Sequence, residues 1–254
     1  MRKGIYRIVF FTILIFCFLG YLLRPDYYSV NLSQRLLPPS LSHPLGTDFL
    51  GRDLMSRICL GGLISFGISF ISVLISFSIG FLVSFFAAVK GGFVDKILVS
   101  LMDVFQSFPG MLLAIVFAAF FKGGIYGVIL ALCVSGWVGF ARLSRGLMLS
   151  KLKEDYFVYS IASGEKVLKA VLRHILPNIK KPLLIQTLLA FSGAIIVEAS
   201  LSFLGIGIKP PLPSWGNIIA DGKEFILVAP YISVIPGLFL TLSVLCIKNF
   251  LKID

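Results

Sequence analysis

Groups able to do chemistry are sparse in this chain, and their spacing speaks against a reaction centre. Of 254 residues only 2 are histidine, His43 and His174, and they stand far apart. Neither a metal site nor a Ser-His-acid arrangement can be assembled around them. The 4 cysteines lack disulfide or metal spacing. Cys17, Cys133 and Cys246 sit in apolar runs and Cys59 is alone, so all read as structural. Gly216 to Gly222-Lys223 imitates a phosphate loop, but five residues separate the glycines instead of four. Glu224 follows where Ser or Thr would hold magnesium, so this is a plain loop. Asp103, Glu198 and the neighbouring Ser202 fall inside long apolar stretches. A charge at membrane depth costs roughly 3 kcal/mol on insertion scales, so such groups face the protein interior. They line a solute path or fix helix packing by hydrogen bonds, and both readings stay open. Neither carboxylate has a charged partner at i±4, which argues against a proton relay.

Apolar helices must position these groups. Hydrophobic residues make up 57% and charged residues 14%, with mean hydropathy +0.97, too apolar for a soluble domain. Six stretches suit a membrane helix of about 20 apolar residues: 5–23, 63–89, 97–121, 125–143, 182–206 and 226–250. The expected fold is an all-α integral membrane protein with six transmembrane helices. Arg2, Lys3 and Arg7 precede the first stretch as in a secretory signal. It ends at Tyr21-Leu22-Leu23-Arg24 without a small-residue cleavage site, so it reads as a retained anchor.

A net charge of +11 would suggest nucleic acid in a soluble protein. Here the basic residues sit between apolar runs and report orientation instead. With the N-terminus inside, 16 of the 23 Lys and Arg, Lys252 among them, fall on the cytoplasmic side. Both termini are then cytoplasmic. The chain divides into an N-terminal anchor with an extracytoplasmic segment (1–60) and a five-helix core (61–254).

Within the second stretch Ser72, Ser76, Gly80, Ser84 and Ala88 place a small residue at every fourth position. Lipid offers no hydrophobic drive between helices, so this face must meet another helix closely, within the chain or in a second subunit. Pro109-Gly110 should kink the third stretch.

A charged interruption at about 151–178 stands out. Glu154 and Asp155 suit a helix start, and Gly164 suits its end. A second helix would carry Val167, Leu168, Val171, Leu172 and Ile175 on one stripe, with Lys166, Lys169 and Arg173 opposite. Pro177 should break it. The hairpin offers an apolar side to a soluble partner, or rests on lipid headgroups.

Asp155-Tyr156, Gly164 and Arg173-His174-Ile175-Leu176-Pro177-Asn178 resemble the coupling loop of binding-protein-dependent ABC importer permeases. His43-Pro44-Leu45-Gly46-Thr47-Asp48, Leu50-Gly51-Arg52-Asp53, Gly91-Gly92-Phe93-Val94-Asp95 and Ser107-Phe108-Pro109 resemble the peptide and nickel subgroup. So do Glu198-Ala199-Ser200-Leu201-Ser202-Phe203-Leu204-Gly205, Pro210-Pro211, Pro213-Ser214-Trp215-Gly216 and Pro236-Gly237. The likeness runs roughly from Leu41 to Asn249, and the chain is similar to the second permease of dipeptide, oligopeptide or nickel importers.

That resemblance implies a type I permease fold in a bacterial inner membrane, paired with a second homologous permease. Two P-loop ATPase subunits would bind ATP and Mg and touch Asp155, Tyr156, Ala162, Gly164, Glu165, Arg173, Leu176 and Pro177. A solute-binding protein would face Pro210, Pro211, Pro213 and Trp215 on the outer side. Lipid surrounds such a chain, and no nucleic acid, resident cofactor or catalysis is implied. The chain departs from the family where Val158-Tyr159-Ser160 replaces the usual Glu-Ala-Ala, and where it stops at Lys252-Ile253-Asp254. A stand-alone secondary transporter or channel would expect inverted repeats and paired intramembrane charges, neither of which stands out.

Overall fold

The computed structural model describes residues 2–250, so Lys252 and the ending at Lys252-Ile253-Asp254 lie outside the described residues. Helix α1 (Arg2–Leu23) leads into residues 24–53, which fold at one end of the bundle. Asp53 then caps α2 (Leu54–Lys90) by accepting from the Ser56 backbone N–H at 3.0 Å. Gly51 has φ +72°, and a Cβ there would fall 1.8 Å from the Asn31 carbonyl oxygen, so only glycine fits this turn.

At 37 residues α2 is about 55 Å long, well beyond the ~30 Å hydrocarbon layer. Its small-residue stripe is buried throughout and meets α5 (Gly124–Lys151). A Cβ on Gly80 would lie 2.6 Å from Phe140 Cβ and 2.7 Å from the Trp137 carbonyl oxygen. The tight face is therefore spent inside the chain.

The third stretch is not one kinked helix. It is α3 (Gly92–Gln106) and α4 (Gly110–Phe120), bent by 86° at the break. Pro109 cannot donate a backbone hydrogen bond and adopts ψ 125°, while the residue before a proline disfavours helix. Bidentate contacts from Arg145 to Asp95 (2.6 and 2.5 Å) tie the start of α3 to the end of α5.

Short helices α6 (Asp155–Ala162) and α7 (Val167–Ala170) precede α8 (Leu176–Phe203). At the opposite end α9 (Trp215–Gly222) leads to α10 (Tyr231–Asn249), which starts five residues later than the apolar run predicts. Five helices are long and apolar enough to cross a membrane, or six if the bent α3–α4 pair counts as one span. The 60/61 boundary falls inside α2, and α1 packs through Phe10, Ile13 and Cys17 into the core around Trp215.

Candidate functional site

The charged interruption folds as a hairpin. α6 runs over the expected residues, and Gly164 ends it at φ +86° with nothing within 4 Å of a would-be Cβ. Pro177, however, breaks nothing. A π-helical turn (Val171–Ile175) joins α7 to α8, so the helix is continuous from Val167 to Phe203. Within that turn the Leu176 N–H reaches back to the Val171 carbonyl, and Pro177 follows in the first turn of α8. The shift of register at the proline replaces a break.

The apolar stripe also divides. Val171 and Ile175 are fully buried against Met148, Phe157 and Ile179. Leu168 and Leu172 remain 54% and 47% exposed, and Tyr156 and Tyr159 of α6 are exposed as well. Lys166, Lys169 and Arg173 rim Leu168 and Leu172. One side of the hairpin is thus fastened to α5 and α8, and the other is open.

Glu165 fastens the hairpin internally. Its carboxylate accepts from the Ser160 hydroxyl and lies 3.1 Å from His174 Nε2, with Lys169 and Arg173 at 3.9 and 3.8 Å. The Ser160 bond, with His174 and Lys169, holds the Glu165 carboxyl below the usual range although burial opposes it. Asp155, Ala162, Arg173 and Pro177 are exposed, and Leu176 is half-buried.

The acidic groups separate. Asp103 is exposed and ion-paired with Arg142 of α5. Glu198 is fully buried, accepts from Ser202 Oγ at 2.8 Å and lies near Ser65 and Ser214. Ser202 Oγ in turn accepts from the Ile208 N–H at 3.0 Å. Glu198 and Ser202 therefore fix α8 and the turn after it.

The loop expected to face a binding protein is divided. Trp215 and Pro213 are buried, while Pro210 and Pro211 are exposed. Trp215 donates Nε1–H to the Ile58 carbonyl at 3.0 Å and meets Phe66 edge-on, so its large apolar area is spent in the core. Ser214 caps α9 in a capping box with Asn217, which turns Trp215 inward.

Spacing also missed an ion network at that end. Asp48, fully buried, accepts from Arg52 Nε at 2.7 Å and from Arg57, and Arg57 reaches Asp221 of α9 at 3.2 Å. Burial raises the Asp221 carboxyl against the lowering pull of Arg57. The visible signal was the pair Thr47-Asp48 and Arg52-Asp53 ahead of α2, whose partner Asp221 is far off in sequence.

A last feature is a recess of about 620 Å³ between the α3–α4 break, α2, α5 and α8, reached by Ser76, Gln106, Ser135 and Gln186.

The hairpin thus joins a continuous helix, Val167–Phe203, with one face fastened to the bundle and one face open. Comparison with known proteins places it. The profile described as "Binding-protein-dependent transport system inner membrane component" matches residues 79–253. The dipeptide transport system permease protein DppC of Alkalihalophilus pseudofirmus is 34% identical over 233 residues, covering 92% of this chain and 77% of that protein. The oligopeptide transport system permease protein OppC of Bacillus subtilis is 32% identical over 243 residues, covering 96% and 78%. A solved structure of the MetNI methionine ABC transporter shares the fold, at TM-score 0.63 and 18% identity over 77% of this chain and 93% of that one.

The fold is that of an ABC importer permease. The chain belongs to the binding-protein-dependent transport system inner membrane components, as a multi-pass, non-catalytic permease subunit.

Proposed function

We propose that this permease imports short peptides, with both termini and the α6–α8 hairpin in the cytoplasm. Its relatives named for dipeptide and oligopeptide transport support that substrate class. An ATPase subunit seats on Tyr156, Tyr159, Leu168 and Leu172 with their basic rim, and a second ATPase serves a homologous permease alongside. ATP and Mg reside in those subunits. A solute-binding protein docks at the α9 end, where Pro210 and Pro211 are exposed.

The observation that carries this reading is the unbroken helix from Val167 to Phe203. A push on the hairpin's open face moves α8 as a rod, so closure of the ATPases shifts the bundle between inward and outward access. Co-purification of the tagged chain should bring down a second permease and ATPase subunits. The assembled complex should take up labelled dipeptide in an ATP-dependent way. Uptake of nickel but not dipeptide would overturn the substrate class, and uptake by the purified chain alone would overturn the ATP-driven reading.

A further inference from the structure

The recess beside the α3–α4 break has no assigned role. Its volume of about 620 Å³ lies within the roughly 300–1,000 Å³ typical of small-molecule sites. No Asp, Glu, Lys, Arg, His or Cys lines it. Its polar side chains are neutral and of two kinds, hydroxyls of Ser72, Ser76 and Ser135 and carboxamides of Gln106 and Gln186.

Two glycines of α5 give these groups room. A Cβ on Gly139 would lie 3.2 Å from Gln186 Nε2, and one on Gly136 would lie 3.0 Å from Ser76 Oγ. Gly110 and Gly193, also on the wall, face open space. Gln106 is the last residue of α3, so the break at Pro109 leaves it at a helix end on the recess wall.

We infer that this recess is a solute station that holds the backbone amides of a short peptide through Gln106, Gln186 and Ser135. The inference rests on the peptide reading above and names where that solute is held. A carboxamide offers one acceptor and two donors, so it matches the C=O and N–H of a peptide group at two points. Such contacts read the backbone and ignore the side chains. Absence of fixed charge in the wall keeps the station shallow, since a solute must leave as readily as it enters. The same wall is unsuited to a bare nickel ion, which prefers imidazole, thiolate or carboxylate ligands.

The test uses the assembled complex with its binding protein. Gly193→Phe fills the recess from a position where a Cβ meets nothing, and Gly67→Phe, an exposed α2 glycine off the recess, serves as its control. Gln106→Leu with Gln186→Leu removes the amide contacts at nearly constant volume. We expect G193F and the double leucine variant each to lose roughly tenfold or more in dipeptide uptake, with assembly and binding-protein-stimulated ATP hydrolysis retained, and G67F to transport normally. Dipeptide uptake at wild-type rate in the double leucine variant would overturn the station. So would equal loss in G193F and G67F. If G193F does not assemble, the leucine variant decides alone. Failure of the wild-type complex to import dipeptide would instead sink the peptide reading itself.

Discussion

His174 Nε2 lies 3.1 Å from Glu165 Oε2, and this contact ties the loop after α6 to the π turn that precedes α8. The residue in the gap between the two hairpin helices is thereby tied to the helix that crosses the membrane.

Replacing Glu165 by Gln should loosen the hairpin without unfolding the bundle. Amide hydrogen exchange over residues 155–165 should speed up at pH 7, and ATP-driven uptake should fall severalfold. The folded-state Glu165 carboxyl lies below its ordinary value of 4.5, so its contribution is fully present above that value. It is lost only as pH falls through the depressed value. Wild-type hairpin protection should therefore hold from pH 7 down to about 5, and E165Q should remove that plateau.

Gly164→Val should uncouple. At φ +86° a β-branched residue costs about 1–3 kcal/mol of local strain, and it redirects the chain between α6 and α7. Membrane insertion should be normal, with uptake lost in a complex that still assembles. Wild-type uptake by that complex would count against the lever.

Gly80→Leu should be the most disruptive small-to-large change in the bundle. Even a methyl would meet Phe140 and the Trp137 carbonyl at under 3 Å, so α2 and α5 must separate. Thermal unfolding in detergent should show a loss of at least 1–3 kcal/mol. Gly67→Leu, which meets nothing within 4 Å, should be neutral.

Asp48→Ala should be far worse than Asp221→Asn. The first leaves Arg52 and Arg57 without their shared, fully buried partner, a loss of about 3–5 kcal/mol. Asp221 keeps 30% of its side chain exposed, so solvent screens its loss. Expression yield and melting temperature of the two variants check the order.

Trp215→Phe should lose only the bond to the Ile58 carbonyl, about 1 kcal/mol. Trp215→Ala should lose about 3–5 kcal/mol through the cavity it leaves. Comparable melting temperatures for W215A and wild type would return this residue to the surface.

Much was legible because it depends on neighbours within a few residues. Apolar run length set the crossings, since a backbone in hydrocarbon must satisfy itself. Asp155 and Gly164 marked the two ends of α6 to within two residues, because helix starts and positive-φ turns are local chemistry. The every-fourth small residues of α2 announced a tight contact, though not that Phe140 would fill it.

What sequence left undecided depended on which distant elements meet. The same Pro that breaks α3 from α4 at position 109 is absorbed at 177, because only there does a π turn shift the hydrogen-bond register ahead of it. Trp215 and Leu168 are both large and apolar, yet one is buried and the other open. Arg57 found Asp48 and Asp221, and Glu198 found Ser65 and Ser214, through contacts that no periodicity encodes. Local pattern dictates where a helix lies, but a side chain's partner is chosen by whichever helix the fold brings against it.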